Sequence, residues 1–133
     1  MMLTRRQALA GLAFCLVPAT GMALERDTLF NVSTRLVEIY QAGDAAALHG
    51  MLSPDLQAQY SPDALASWLR EVNAKFGPLQ RISLPISGTR AYAIFAAYFE
   101  RAPSDMFLEL DPQGRVVVWT LKNDSGAVAL RKR

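Results

Sequence analysis

The 133 residues leave room for one domain, since compact domains centre on roughly 100 to 150 residues, and 51% hydrophobic against 20% charged residues excludes a disordered chain. The formal charge of +2 comes from the chain ends: setting aside Arg5 and Arg6 leaves twelve basic against twelve acidic residues, and without Arg131, Lys132 and Arg133 the body carries nine against twelve. That sign excludes a broad nucleic-acid footprint, and the basic tail reads as a solvated terminus.

The chain opens on Thr4-Arg5-Arg6-Gln7-Ala8-Leu9-Ala10, followed by a moderately apolar run from Gly11 to Pro18 and by small residues at Gly21 and Ala23. Charge, apolar stretch and small-x-small cleavage site, in that order, make a secretory signal over residues 1–23. Its apolar run is far short of the roughly 20 residues needed to cross a bilayer. The paired arginines before a weakly hydrophobic segment resemble bacterial twin-arginine signals, carried here by Thr4, Arg5, Arg6 and Leu9. Ala8 stands where an aromatic residue is common in that pattern, which leaves the general secretory route open. The expected destination is the periplasm or the medium, with no membrane contact once the leader is removed. Cys15 is the only cysteine and lies in the leader, behind a Phe14 too large for lipoprotein processing. Cleavage after Ala23 therefore leaves 24–133 as a single domain without disulfide or thiol chemistry.

From Asp27 to Gln41, apolar residues at Leu29, Phe30, Val32, Leu36, Val37, Ile39 and Tyr40 recur mostly three or four positions apart, which predicts a helix ending at Gly43. Asp44 is a natural N-cap for a shorter helix to Met51, and Ser53-Pro54 reads as its end. Ser61-Pro62-Asp63 starts a third helix along Leu65, Trp68, Leu69, Val72 and Phe76, stopped by Gly77-Pro78. The period then falls to two. Strands are expected at Gln80–Ser87, Arg90–Arg101, Asp105–Asp111 and Arg115–Asn123, joined by short turns that imply antiparallel neighbours. The clearest turn is Asp111-Pro112-Gln113-Gly114, with Gly114 free to take positive φ. The sum is an α+β domain: three N-terminal helices packed on a curved four-stranded antiparallel sheet.

The order of elements, with Gly43-Asp44, Ser53-Pro54-Asp55-Leu56, Phe76-Gly77 and the hairpin Phe107–Val116, resembles the nuclear transport factor 2-like (cystatin-like) superfamily over about residues 27–122. The resemblance implies a sheet wrapped round the long helix with a cone-shaped cavity, used by some members for catalysis and by others for binding. It points to Tyr40, Tyr92, Tyr98 and Trp119 as the residues holding a small apolar ligand. The isomerase and cyclase branches place a carboxylate base and a Tyr or Asp donor in a dry cone. Tyr98 and Glu109 are the catalytic candidates on that pattern, ahead of Tyr60 and Glu100. Glu109 acts as a base if it faces the cone and is a solvated charge if it faces out.

Other chemistry finds little support. His49 is the only histidine and sits at a helix end, where a surface role suits it. No metal-ligand spacing occurs, and Asp111–Gly114 lacks the remaining oxygen ligands of a calcium loop. No cofactor or metal is expected. The leading reading is an exported binding or accessory domain with an apolar pocket; the alternatives are a small lyase or isomerase acting in the cone and a homodimeric or partner-docking module. The last rests on a count of faces. The strand from Arg90 to Arg101 sets Tyr92, Ile94, Ala96 and Tyr98 against Ala93, Phe95, Ala97 and Phe99, and the last strand sets Val116 and Val118 against Val117, Trp119 and Leu121. Both faces are apolar, helices cover only one, and either a homodimer or the C-terminal residues 127–130 would cover the other.

Overall fold

The computed structural model describes residues 24–133; the expected signal peptide over 1–23 lies outside them. Four helices precede an antiparallel sheet. Helix α1 (Thr28–Ala42) buries Leu29, Ser33, Leu36, Ile39 and Tyr40 along one face and ends at Gly43. Asp44 caps α2 (Ala45–Met51) by accepting from the Ala47 amide at 3.1 Å. Ser53 then caps a helix of its own, α3 (Pro54–Gln59), with Pro54 in the first turn. Ser61 accepts from the Ala64 amide at 3.1 Å to open α4 (Pro62–Phe76), which buries Leu65, Leu69, Val72 and Phe76.

The strands are β1 (Leu79–Ile82), β2 (Ser87–Gly88), β3 (Tyr92–Phe99), β4 (Pro103–Leu110), β5 (Val116–Asn123) and β6 (Gly126–Arg131). They run β1-β3-β4-β5-β6, every pairing antiparallel, with β2 sharing the β3 edge with β1. Helices before a meander is the expected class, but the counts differ. Four helices replace three because Ser53-Pro54, read as a stop, is the N-cap and first turn of α3. Six strands replace four for two reasons. The expected strand over Gln80–Ser87 is broken in the middle: the Ser83 hydroxyl accepts from the Ala96 amide at 2.9 Å, and Pro85 has no amide to donate. Residues 126–131 pair with β5 as a further strand, so they extend the sheet and do not cover its outer face.

Alternation along the strands sorts the faces. Phe95, Phe99, Met106, Leu108, Trp119 and Leu121 point inward onto the helices, each at most 4% exposed. Burial of each such side chain contributes roughly 1.5 to 3 kcal/mol. Val116 also lies inside, although counting in twos from Trp119 would put it outside. A bulge sets Leu110 opposite Val116 and Glu109 opposite Val118, leaving Val117 as the extra residue.

Two turns show why glycine stands where it does. At Gly114, φ is 80°, and the Asp111 carboxylate accepts from the Gln113 and Arg115 amides at 2.9 Å each to close the β4–β5 hairpin. At Gly88, φ is 144° and β2 lies so close to β3 that a Cβ would strike the Tyr92 carbonyl and come within 2.9 Å of Ala93 Cβ.

Candidate functional site

The five residues expected at a site divide between the two sides of the sheet. Tyr40 and Trp119 lie inside. Tyr40 is 7% exposed, packs edge-on to Phe99 with centroids 5.5 Å apart, and donates its hydroxyl to the Gly77 carbonyl at 2.7 Å. Burial pushes its phenol up to about 12, against the opposing pull of Arg101. Trp119 is fully buried beside Trp68, centroids 5.3 Å apart, and its indole Nε1 has no hydrogen-bond partner among the described residues. The space expected to hold a ligand is occupied here by side chains: Trp119, Phe76, Phe95, Leu36, Ile39 and Met106 are each below 2% exposed.

Tyr92, Tyr98 and Glu109 lie on the outer face. Tyr92 stands directly opposite Glu109, whereas Tyr98 stands opposite Pro103 with the Arg81 guanidinium 4.0 Å above its ring. Tyr98 and Glu109 are thus six residues apart along the sheet, about 20 Å at the rise of a strand. They share a face but cannot share a reacting atom. Of the remaining candidates, Tyr60 lies under the Arg133 guanidinium at 5.8 Å and Glu100 is exposed past the end of β3. His49 Nε2 meets the Gln57 carbonyl at 3.2 Å, while the Gln57 amide donates back to the His49 carbonyl at 2.9 Å. The pair fastens α2 to α3. Among the described residues no group of three His, Cys, Asp or Glu side chains could hold a metal, and no helix is long and apolar enough to cross a membrane.

An open cleft of about 370 Å³ lies where Leu24 meets the start of β3 and the end of β4, lined by Thr89, Arg90, Ala91, Leu110, Asp111 and Pro112. Of its polar side chains, Thr89 and Asp111 are engaged in turns, the Thr89 hydroxyl accepting from the Ala91 and Tyr92 amides and Asp111 closing the hairpin, while Arg90 is exposed. Nothing in it converges on a ligand.

The outer sheet face is the more informative surface. Cross-strand register arranges it in rows: Tyr92, Glu109, Val118 and Arg131; then Ile94, Phe107, Thr120 and Ala129; then Ala96, Asp105, Lys122 and Ala127. Tyr92 and Ile94 are each 42% exposed, and the Tyr92 ring lies 5.9 Å from that of Phe107. The ion pairs Arg35–Glu38 and Lys132–Asp55 lie elsewhere, so the charges of this face are unpaired among the described residues.

Both edges of the sheet are obstructed. On the β6 side the Gln59 amide donates to the Arg131 carbonyl at 3.1 Å and accepts from the Arg133 amide at 3.1 Å, doing the work of a neighbouring peptide. With Lys132 on Asp55, this pins a tail that composition suggested would be free. On the other side Pro85 interrupts the edge. Sequence spacing revealed the two apolar faces but carries no signal for the Gln59 clamp, which joins residues more than seventy positions apart. Compared with protein-family models, with curated proteins and with solved structures, the chain matches none.

Proposed function

We propose that the chain is an exported, non-catalytic docking module that works through the outer face of its sheet. The observation that carries this reading is the exposure of Tyr92, Ile94 and their neighbours on the outer face, while the interior is filled and both edges are obstructed. An aromatic and aliphatic patch rimmed by charge is the composition of an interface core with a polar rim. Export to the periplasm rests on the leader alone: Arg5, Arg6, the short apolar run and Ala23. The nuclear transport factor 2-like resemblance is supported by the element order, helices first and an antiparallel meander after. Tyr98 and Glu109 stand too far apart to act as donor and base on one substrate, which favours docking over a lyase or isomerase. In this reading the binding surface is the outside of the sheet, not a cone within it.

A photo-crosslinking residue placed at Ile94 or Phe107, with Glu71 on the exposed side of α4 as control, tests the reading in exporting cells. Adducts at 94 and 107 and none at 71 are expected. Absence of adducts at the sheet face, or equal yield at 71, would overturn it.

A further inference from the structure

The described structure begins at Leu24, and that residue is already held. Leu24 is half-buried, packs on the core cluster and forms one wall of the open cleft whose other walls include Ala91, Leu110 and Pro112. The β4–β5 turn backs it: a Cβ placed on Gly114 would stand 4.0 Å from Leu24 Cδ2 and 3.4 Å from Thr28 Cγ2. Past Leu24 the backbone has no slack. The Thr28 amide donates to the Glu25 carbonyl at 3.2 Å to close a turn over residues 25–28, and α1 begins at Thr28. The bond expected to be cut on export, Ala23–Leu24, therefore ends on a residue seated in the folded body.

Resting on the export-type leader of the reading above, we infer that Leu24 controls leader removal. Seated in its cleft, it keeps the residues after the bond out of the extended form that a peptidase grips. A chain that folds before export then keeps its leader longer than one exported unfolded. Peptidases take their substrates as extended segments held by main-chain hydrogen bonds, and cut most readily where the chain is exposed and loosely held. Glu25, Arg26 and Asp27 are exposed, so the obstacle is the committed backbone and the Leu24 side chain. Cleavage waits for Leu24 to leave the cleft and for the turn to open, and its rate follows the population of that open form. Half-burial of a leucine contributes about half the full transfer value and holds the open form to roughly a tenth; the turn lowers it further. The bond chemistry is ordinary hydrolysis: one water adds across the Ala23–Leu24 amide, leaving a carboxylate on Ala23 and an α-ammonium on Leu24.

This gives the cleft an occupant. Thr89 and Asp111 are committed to turns, Ala91, Leu110 and Pro112 present apolar surface, and the apolar side chain set against them is the chain's own Leu24. It also ties processing to route. The twin-arginine pathway carries folded chains, so there the leader meets its peptidase with Leu24 seated. On the general secretory route the chain arrives unfolded and the seat does not yet exist.

Purified leader peptidase acting on the full-length precursor tests this, with cleavage after Ala23 read by mass spectrometry. The wild type is compared with Leu36→Asp, which sets a charge at a fully buried core position and prevents folding, and with Ala91→Glu. A further chain carries Leu-Glu-Ser inserted between Ala23 and Leu24. Circular dichroism confirms the fold of all but Leu36→Asp. Ala91→Glu fills the cleft with a charged side chain and expels Leu24 without altering the cut segment. The insertion repeats the Leu-Glu that follows the bond and leaves Leu24 seated, so the cut lies clear of the body. The wild type should be cut about tenfold or more slower than Leu36→Asp. Ala91→Glu and the insertion chain should close most of that gap while folded; should Ala91→Glu unfold, the insertion chain alone decides. Equal rates for the wild type and Leu36→Asp overturn the inference. So does a folded Ala91→Glu, or a folded insertion chain, cut as slowly as the wild type. Failure to cut even Leu36→Asp after Ala23 overturns the leader itself and this inference with it, and leaves the docking reading to the crosslinking outcome.

Discussion

Replacing Tyr40 by Phe removes one hydroxyl and leaves the ring on Phe99. That hydroxyl is the donor to the carbonyl of Gly77, itself buried where α4 ends. Leaving a buried carbonyl without its donor costs about 1 to 3 kcal/mol. In a domain of this size each kcal/mol lowers Tm by about 4 °C, so unfolding followed by circular dichroism at pH 7 should shift down by about 4 to 12 °C. The pH dependence is sharper. The phenol titrates near 10 in the unfolded chain and is pushed up to about 12 by burial in the folded one, with Arg101 pulling it down. Below pH 10 both states keep the proton and stability is at its full value. Between pH 10 and about 12 the unfolded chain has lost it and the folded chain has not, so stability falls by about 1.4 kcal/mol per pH unit. Above that window the contribution is gone. Tyr40→Phe has no proton to lose there, so its stability should fall less steeply, and the wild-type advantage should shrink as pH rises. Guanidinium unfolding of both proteins at several pH values from 7 upward measures this. Parallel pH slopes, or a Tm change under about 2 °C at pH 7, would refute the buried hydrogen bond.

Trp68 is only partly buried beside Trp119, so Trp68→Ala should cost about 2 to 3 kcal/mol, less than a fully buried Trp, and should red-shift Trp119 fluorescence as water reaches it. Urea titration read by both circular dichroism and fluorescence checks the pair of effects. Gln59→Ala opens the β6 clamp without touching the core; amide exchange at Arg133 should rise steeply while global stability changes by less than about 1 kcal/mol. The proposed export route predicts that changing Arg5 and Arg6 together to Lys leaves precursor in the cytoplasm, because the guanidinium pair and not charge alone is what that pathway reads. Normal delivery of the double variant, seen by cell fractionation, would place the chain on the general secretory route.

The parts of the fold legible in advance are those whose hydrogen bonds close within a few residues. Asp44 and Ser61 cap the helices they were expected to cap, Gly43 and Gly77 follow the helices they were expected to end, and Asp111 closes the hairpin through its own side chain. Ser53-Pro54 shows the limit of that logic. Serine before proline ends one helix and starts another with equal local chemistry, and only the burial of Leu56 against the core selects the start of α3. The same limit applies to β6, whose Gly126–Arg131 backbone becomes a strand because β5 offers it an unpaired edge.

For the candidate site, alternation alone placed Tyr92, Ile94 and Tyr98 on one face and Phe95 and Phe99 on the other, because a strand turns its side chains through a half circle at each residue. Alternation says nothing about which residue of the next strand stands opposite. That depends on the turn between the strands, which is why Glu109 meets Tyr92 while Tyr98 meets Pro103, and across the next pair on the bulge at Val116–Val118. From its sequence this protein was determined as an α+β chain with two apolar sheet faces, since composition and periodicity are properties of neighbours along the chain. Which face is filled, which is bare, and how large and small, acid and base are set out across the bare one was decided only by tertiary structure. Those arrangements arise from pairings between residues far apart in sequence, each selected by burial and register together.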